Sequence, residues 1–104
     1  MAESSYNGWA NYETWAVKLH LDNEQGTYYD VTGHATEMVT EAANAEMEAD
    51  AYEFESWLKD YVEELLPELD GLACDLLRAA LSEVNWQEIA EAYLEDAKAG
   101  LVHS

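Results

Sequence analysis

The amino-acid sequence predicts an all-α fold, a compact single domain of about five short helices. Apolar residues recur at the i, i+3, i+4 and i+7 positions of a helix face over most of the chain. Residues that favour helix caps precede these segments. At 104 residues, with neither an internal repeat nor a linker, the chain is long enough for one modest core. We therefore expect one domain over residues 1–104, with residues 1–10 as an N-terminal arm.

The first helix is predicted to follow Asn11, which can cap it. This helix is expected to end near residues 23–26, where Gly26 can take the left-handed conformation of a helix stop. Its apolar face is predicted to comprise Tyr12, Trp15, Ala16 and Leu19.

A second helix is predicted to start near Thr27, which with Asp30 three residues later resembles a capping box. Residues 28–32 are rich in β-formers, so a short strand there is the alternative. The predicted helix face comprises Tyr28, Val31, Ala35, Met38, Val39 and Ala42. One helix over residues 27–66 would be ~60 Å long, whereas a domain of this size has a radius of gyration of ~13 Å. We therefore expect a break within residues 43–50.

Three more helices are predicted in the C-terminal half. The first starts at Asp50, which with Glu53 forms a cap-and-box pair, and stops at Pro67. Its apolar face comprises Phe54, Trp57, Leu58, Tyr61, Val62 and Leu65. The next follows Asp70, with a face of Ala73, Leu76, Leu77, Ala80, Leu81 and Val84. Asn85 with Glu88 caps the last helix, which Gly100 is expected to end. Its face comprises Trp86, Ile89, Ala90, Tyr93, Leu94 and Ala97.

Acidity is the second main property of the sequence. The chain has twenty-three Asp and Glu residues but only four Lys and Arg residues, which gives a formal net charge of −19. Ten carboxylates fall between residues 37 and 64, offset only by Lys59, and are the candidate partner-binding residues: Glu37, Glu41, Glu46, Glu48, Asp50, Glu53, Glu55, Asp60, Glu63 and Glu64. As a helix this span would carry one net charge every ~4–5 Å, comparable with one per ~3.4 Å on a DNA strand. Simple acidity of solvated helix faces, as in a salt-adapted protein, is the alternative.

Other site types find little support in the sequence. The lone Cys74 excludes an intramolecular disulfide and multi-cysteine zinc patterns, and is expected to be a packed thiol. His34 lies at helical spacing from Asp30 and Glu37, but a surface histidine is favoured over a metal ligand. We expect no cofactor, no metal and no enzymatic activity. Trp9, before the first helix, is the tryptophan most suited to contact a partner.

Composition also bounds the partners and the compartment. The four basic residues are scattered singly, so direct binding of nucleic acid or of an anionic membrane is disfavoured. No apolar run approaches the ~20 residues of a membrane span. The start of the chain lacks the pattern of a signal peptide. The expected compartment is the cytoplasm.

Two stretches carry a resemblance to a known family. They are NGWANYETW at residues 7–15, continued by LHLDNEQGTY at residues 19–28, and DLLRAALSEVNWQEIA at residues 75–90. Together they resemble a small family from bacteriophages, plasmids and archaeal mobile elements, whose function is largely unknown. A mobile-element origin implies counter-defence, where acidic DNA mimics that inhibit restriction or CRISPR systems recur.

The sequence thus favours a DNA-mimic inhibitor. Its expected partner is a basic DNA-binding protein of the host, such as a restriction, CRISPR or nucleoid component. This hypothesis depends on the charge and not on the family motifs, because residues 37–64 lie outside the resemblance. The alternative is a homodimeric structural or regulatory module whose acidity serves solubility only, paired through the apolar faces of the last three helices.

Overall fold

The computed structural model describes residues 8–103, with side chains described for residues 8–100. This part of the chain folds into five helices: α1 (Tyr12–Asn23), α2 (Gln25–Asn44), α3 (Ala51–Leu65), α4 (Gly71–Ser82) and α5 (Trp86–His103). The all-α prediction is confirmed. None of these helices combines the length and the apolar character that crossing a membrane requires. Residues 1–7 of the predicted arm lie outside the described residues.

The core forms where α2 and α3 pack against α5, while α1 covers α2 and the start of α5. Apolar positions at helical spacing bring these faces together, and burying them supplies most of the stability. The buried core comprises Leu21, Val31, Ala35, Val39, Phe54, Leu58, Val62, Val84, Trp86, Ile89, Ala90, Tyr93 and Leu94.

The junction of α1 and α2 differs from the prediction. Gly26 and Thr27 lie inside α2, and the extended Glu24 alone separates the two helices. The Thr27 hydroxyl donates to the Leu21 carbonyl at 2.9 Å and to the Glu24 carbonyl at 3.0 Å. It satisfies carbonyls around the end of α1 instead of capping α2. The predicted end of α1 near residues 23–26 is confirmed, whereas the left-handed stop at Gly26, the Thr27 capping box and the alternative strand at residues 28–32 are wrong.

The predicted face of α1 is also partly wrong. Tyr12 and Leu19 are exposed, whereas Thr14 and Leu21 are the buried residues of this helix. Hydrogen bonds of the Thr14 hydroxyl with Asn11 and Asn85 hold this residue at the N-terminus of α5. They turn the Thr14 side of α1 toward the interior, so the more apolar side of the helix is left exposed.

Most predicted boundaries of the later helices are confirmed. The break falls at residues 45–50, Asp50 accepts hydrogen bonds from the backbone N–H groups of Tyr52 and Glu53, and α3 ends before Pro67. The Asn85 side chain likewise accepts from the Glu88 N–H at the start of α5. The predicted stop at Gly100 is wrong, because α5 continues to His103. A glycine ends a helix only where its backbone dihedral angles leave the helical range.

Helix α4 lies at the edge of the core and packs against it through Leu81. None of its residues is buried, and Leu76, predicted to face the core, is exposed. Gly71 has a φ of 61°, a left-handed conformation that turns the chain at the start of α4. Cys74, Leu77 and Leu81 line an open groove of about 760 Å³ between α4 and the end of α3. Leu72 and Leu76, on the other side of α4, remain exposed within the described part of the chain.

Candidate functional site

The two motifs that carry the family resemblance meet in the structure. The Asn11 side-chain oxygen accepts from the Thr14 N–H at 2.9 Å and from the Thr14 hydroxyl at 2.6 Å. The same hydroxyl accepts from the Asn85 N–H at 2.8 Å, and the Asn11 amide donates to the Glu83 carbonyl at 2.7 Å. These residues join the N-terminus of α1 to that of α5. We call them, with Glu88, the double-cap cluster.

Glu88 completes this cluster from the side of α5. Its carboxylate accepts from the Ala10 N–H at 3.0 Å, fixing the chain just before α1. Trp9 packs half-buried against the core, and the Lys18 ammonium lies 5.7 Å from its ring centroid. Since the side chains of Asn11, Thr14, Asn85 and Glu88 all form hydrogen bonds inside the fold, these motif positions have a structural explanation. Trp9, the predicted contact residue, belongs to the same packed region.

A second polar group connects α1 to the middle of α5. Tyr93 donates to Asp22 at 2.6 Å, and Lys18 contacts the other oxygen of the same carboxylate at 2.5 Å. The Lys18 ammonium also lies 4.5 Å from the Tyr93 ring centroid. One of the chain's four basic residues is thus committed to holding α1 in place.

The phenol groups of Tyr93 and Tyr61 predict a loss of stability at alkaline pH. Burial, then the hydrogen bond to Asp22, raises the pKa of Tyr93 above its ordinary value of 10.0, and the same causes with Asp30 raise the pKa of Tyr61 to about 12. A phenol whose pKa is higher in the folded than in the unfolded chain stabilises the fold. This stabilisation is complete below pH 10 and is lost as the pH rises toward 12. Urea unfolding at stepped pH measures the loss, and Tyr93→Phe should make it shallower. An equal decline in Tyr93→Phe and wild type would contradict the assignment.

Helices α2 and α3 run antiparallel as a hairpin. The Tyr61 hydroxyl donates to Asp30 at 2.7 Å, and the rings of His34 and Trp57 stack with centroids 4.0 Å apart and planes 7° from parallel. Asp30 therefore lies opposite Tyr61 and His34 lies opposite Trp57, as in two helices that run in opposite directions from the connecting turn. This register decides which carboxylates lie on the same side of the hairpin.

One side of the hairpin collects six carboxylates. At about 100° per residue, Glu37 and Glu41 point to the same side of α2 as Asp30. Glu53, Asp60 and Glu64 lie on the α3 side that carries the Trp57 and Tyr61 rings packed toward α2. We call this set the acidic face: Asp30, Glu37, Glu41, Glu53, Asp60 and Glu64. All six are exposed. Asp30 was absent from the predicted set, although its seven-residue spacing from Glu37 places both on one side.

The remaining predicted carboxylates lie elsewhere. Glu55 and Glu63 project from the opposite side of α3 together with Lys59, and Glu63 and Lys59 line the groove beside α4. Glu48, in the turn, lies 3.2 Å from the Lys98 ammonium, and Asp50 caps α3. The ten predicted residues therefore do not form one line.

Eight of the ten predicted carboxylates have no side-chain partner among residues 8–100. Among the described residues, only Glu48 and Asp50 of this set make a side-chain hydrogen bond or an ion pair. Like charges at i, i+4, as at Glu37 and Glu41, destabilise a helix by about 0.2–0.5 kcal/mol. The fold itself gains nothing evident from these charges.

Glu46 also destabilises the fold, through its backbone conformation. It has a φ of 60°, the left-handed position that normally holds glycine at a helix end. Its N–H donates to the Ala43 carbonyl at 3.0 Å and the Met47 N–H donates to the Ala42 carbonyl at 2.7 Å, which forms a Schellman motif. A non-glycine residue there costs about 1 kcal/mol.

We expect Glu46→Gly to raise the free energy of unfolding by about 1 kcal/mol, because glycine takes this conformation without strain. Urea unfolding measures the change. Glu46→Gln removes the same charge but keeps the side chain, and so separates backbone strain from charge repulsion. Equal stabilisation by both variants would assign the effect to charge alone.

The structure provides no ligand set for a metal. Within the residues whose side chains are described, no group of three His, Cys, Asp or Glu could hold an ion. The His34 ring instead stacks on Trp57, and Cys74 is a half-buried thiol on α4.

Comparison with known proteins finds one family. The chain has no match among curated proteins or among solved structures. A family model, described as a family of unknown function, DUF7249, matches residues 2–99. The match spans both motifs of the double-cap cluster and the acidic hairpin between them. The chain belongs to this family of unknown function.

Proposed function

We propose that the protein is an acidic DNA-mimic inhibitor that blocks the DNA-binding site of a basic protein. The observation that carries the proposal is the acidic face: six exposed carboxylates on one side of the α2–α3 hairpin, five of them without a side-chain partner in the described part of the chain. Exposed charge without partners weakens the fold and strengthens attraction to a basic surface.

The geometry of the hairpin supports this role. The acidic face has one row of three carboxylates on each helix, and the two antiparallel rows together span ~20 Å of helix axis. Six charges over this length amount to about one charge per ~3–4 Å, comparable with one per ~3.4 Å of axis on a DNA strand. Aromatic rings from both helices pack against each other between α2 and α3, with the centroids of His34 on α2 and Trp57 on α3 lying 4.0 Å apart. This packing holds the two helices in a fixed relation.

The proposed setting is a host cytoplasm, with the chain encoded by a mobile element. The proposed partner is a restriction, CRISPR or nucleoid component with a basic DNA-binding groove. Inhibition then requires occupancy of that groove and no chemical step, and the proposal includes no enzymatic activity.

Capture from host lysate at low salt, followed by competition with duplex DNA, tests the proposal. Wild type should retain a DNA-binding protein that duplex DNA releases. Reversing Glu37, Glu41, Glu53 and Glu64 to Lys should abolish capture. The control reverses four exposed carboxylates elsewhere: Glu68, Glu83, Glu91 and Glu95. Both variants change the net charge from −19 to −11, since four charges of −1 become +1.

The two variants separate a shaped surface from bulk charge. Equal loss of capture in both would mean that net charge alone drives binding. Absence of any DNA-binding protein from the wild-type capture would overturn the proposal. Added salt should raise the melting temperature while weakening capture, because screening relieves repulsion in the fold and removes attraction to the partner.

A second candidate function follows from α4. Its exposed leucines have no partner within the described chain, which favours a homodimeric structural or regulatory module whose acidity serves solubility. In that case the Glu37, Glu41, Glu53 and Glu64 reversals would leave activity intact.

A further inference from the structure

The outer side of α4 is an apolar strip that the described residues leave exposed. Leu72 is 74% exposed and Leu76 is 61% exposed, and both lie on the side of the helix opposite Leu77 and Leu81. Ala79 continues the strip at a spacing of four and then three residues. This is the spacing of the seam in two-helix coiled coils. A contiguous apolar strip of this kind normally marks an interface.

The charges of α4 differ from those of the whole chain. The chain carries −19, but α4 contains one acid, Asp75, and one base, Arg78, so its net charge is zero. Both side chains are exposed, and neither makes an ion pair within the described residues. A second copy of this acidic chain would meet the least repulsion here. A basic partner would be drawn to the acidic face instead.

The sequence of α4 is also complementary to itself. In an antiparallel pair of α4 helices with a two-fold axis near Leu76, Leu72 of one copy lies beside the small Ala79 and Ala80 of the other. Asp75 and Arg78 lie on the same flank of the helix, and a two-fold axis brings like flanks together. Each Asp75 then faces the Arg78 of the second copy, and two ion pairs border the leucine seam.

We infer that two copies of this chain associate through an antiparallel pairing of their α4 helices. The inference rests on the second candidate function, which requires two copies, and specifies its interface. It is compatible with the acidic face, which remains exposed on both copies because it lies on α2 and α3.

Sedimentation of the purified chain at increasing concentration tests the pairing without any other protein. Wild type should approach twice the 11.7 kDa monomer mass. Leu72→Gln combined with Leu76→Gln should stay monomeric. The matched control, Met47→Gln with Tyr52→Gln, removes equally exposed apolar groups outside α4 and should still dimerise. All these positions are exposed, so circular dichroism should show the same helix content.

Charge exchange tests the antiparallel geometry. Asp75→Arg alone places four bases at the seam and Arg78→Asp alone places four acids there. Each should weaken self-association by about tenfold or more, which corresponds to about 1.4 kcal/mol or more. A mixture of these two variants restores both ion pairs, and should therefore form heterodimers about as readily as wild type dimerises.

Several outcomes would overturn the inference. They are a wild type that remains monomeric at every concentration, equal dimerisation of the α4 variant and the control, or no gain on mixing the charge variants. A monomeric wild type that loses a foreign partner through the α4 variant would assign the strip to that partner instead. Since the pure chain is measured, failure here leaves the lysate capture by the acidic face unaffected.

Discussion

Phe54→Ala should lower the free energy of unfolding by about 3–5 kcal/mol, the largest effect expected from a single substitution in this chain. Phe54 is fully buried. Its ring centroid lies 5.6 Å from that of Trp57, 5.8 Å from that of His34 and 6.5 Å from that of Tyr93. It therefore contacts α2 and α5 as well as its own helix, and its loss leaves a cavity at the centre of the bundle.

Urea unfolding followed by circular dichroism measures this change. Tyr52→Ala removes an aromatic ring of similar size two residues away, where the side chain is 74% exposed, and should change stability by less than about 0.5 kcal/mol. Comparable losses in the two variants would show that Phe54 is not at the centre of the core.

Thr14→Val should lower stability by about 1–3 kcal/mol. Thr14 is fully buried, and its hydroxyl receives the Asn85 N–H while donating to Asn11. Valine has nearly the same shape but cannot form either bond, so an N–H at the start of α5 loses its acceptor. The expected loss is large for a substitution that only replaces a hydroxyl by a methyl group.

Thr14→Ser provides the matched control. Serine keeps the hydroxyl and removes only a methyl group, so it should retain most of the stability that valine loses. Urea unfolding of both variants decides between the two contributions. Greater damage from serine than from valine would show that the site depends on packing and not on its hydrogen bonds.

Local signals in the sequence predicted most of the fold. The caps at Asn11, Asp50 and Asn85 were recognisable because each acts on N–H groups two or three residues away. The junction at Gly26 was missed because Thr27 bonds to carbonyls of α1, and this depends on how two helices meet. The exposure of Leu76 was missed for a related reason, since periodicity locates an apolar face but does not say whether the fold covers it.

The candidate site was predictable only in part. Composition located the dense charge at residues 37–64, and helical spacing explains why Glu37 and Glu41 share a side. The split of the α3 carboxylates between two sides depends on the packing of Trp57 against His34, which the sequence pattern does not encode. The pairing of Glu48 with Lys98 links residues 50 positions apart and is likewise invisible in a local pattern.

The double-cap cluster has a consequence for the order in which the protein is made. Its hydrogen bonds join residues 71, 72 and 78 positions apart, and Tyr93 meets Asp22 across another 71. A ribosome that has released only the first half of the chain has exposed α1 without any of these partners. Short isolated helices are marginal in water, so α1, although synthesised before the other four helices, becomes stable among the last. Closure of the domain requires that α5 has been synthesised.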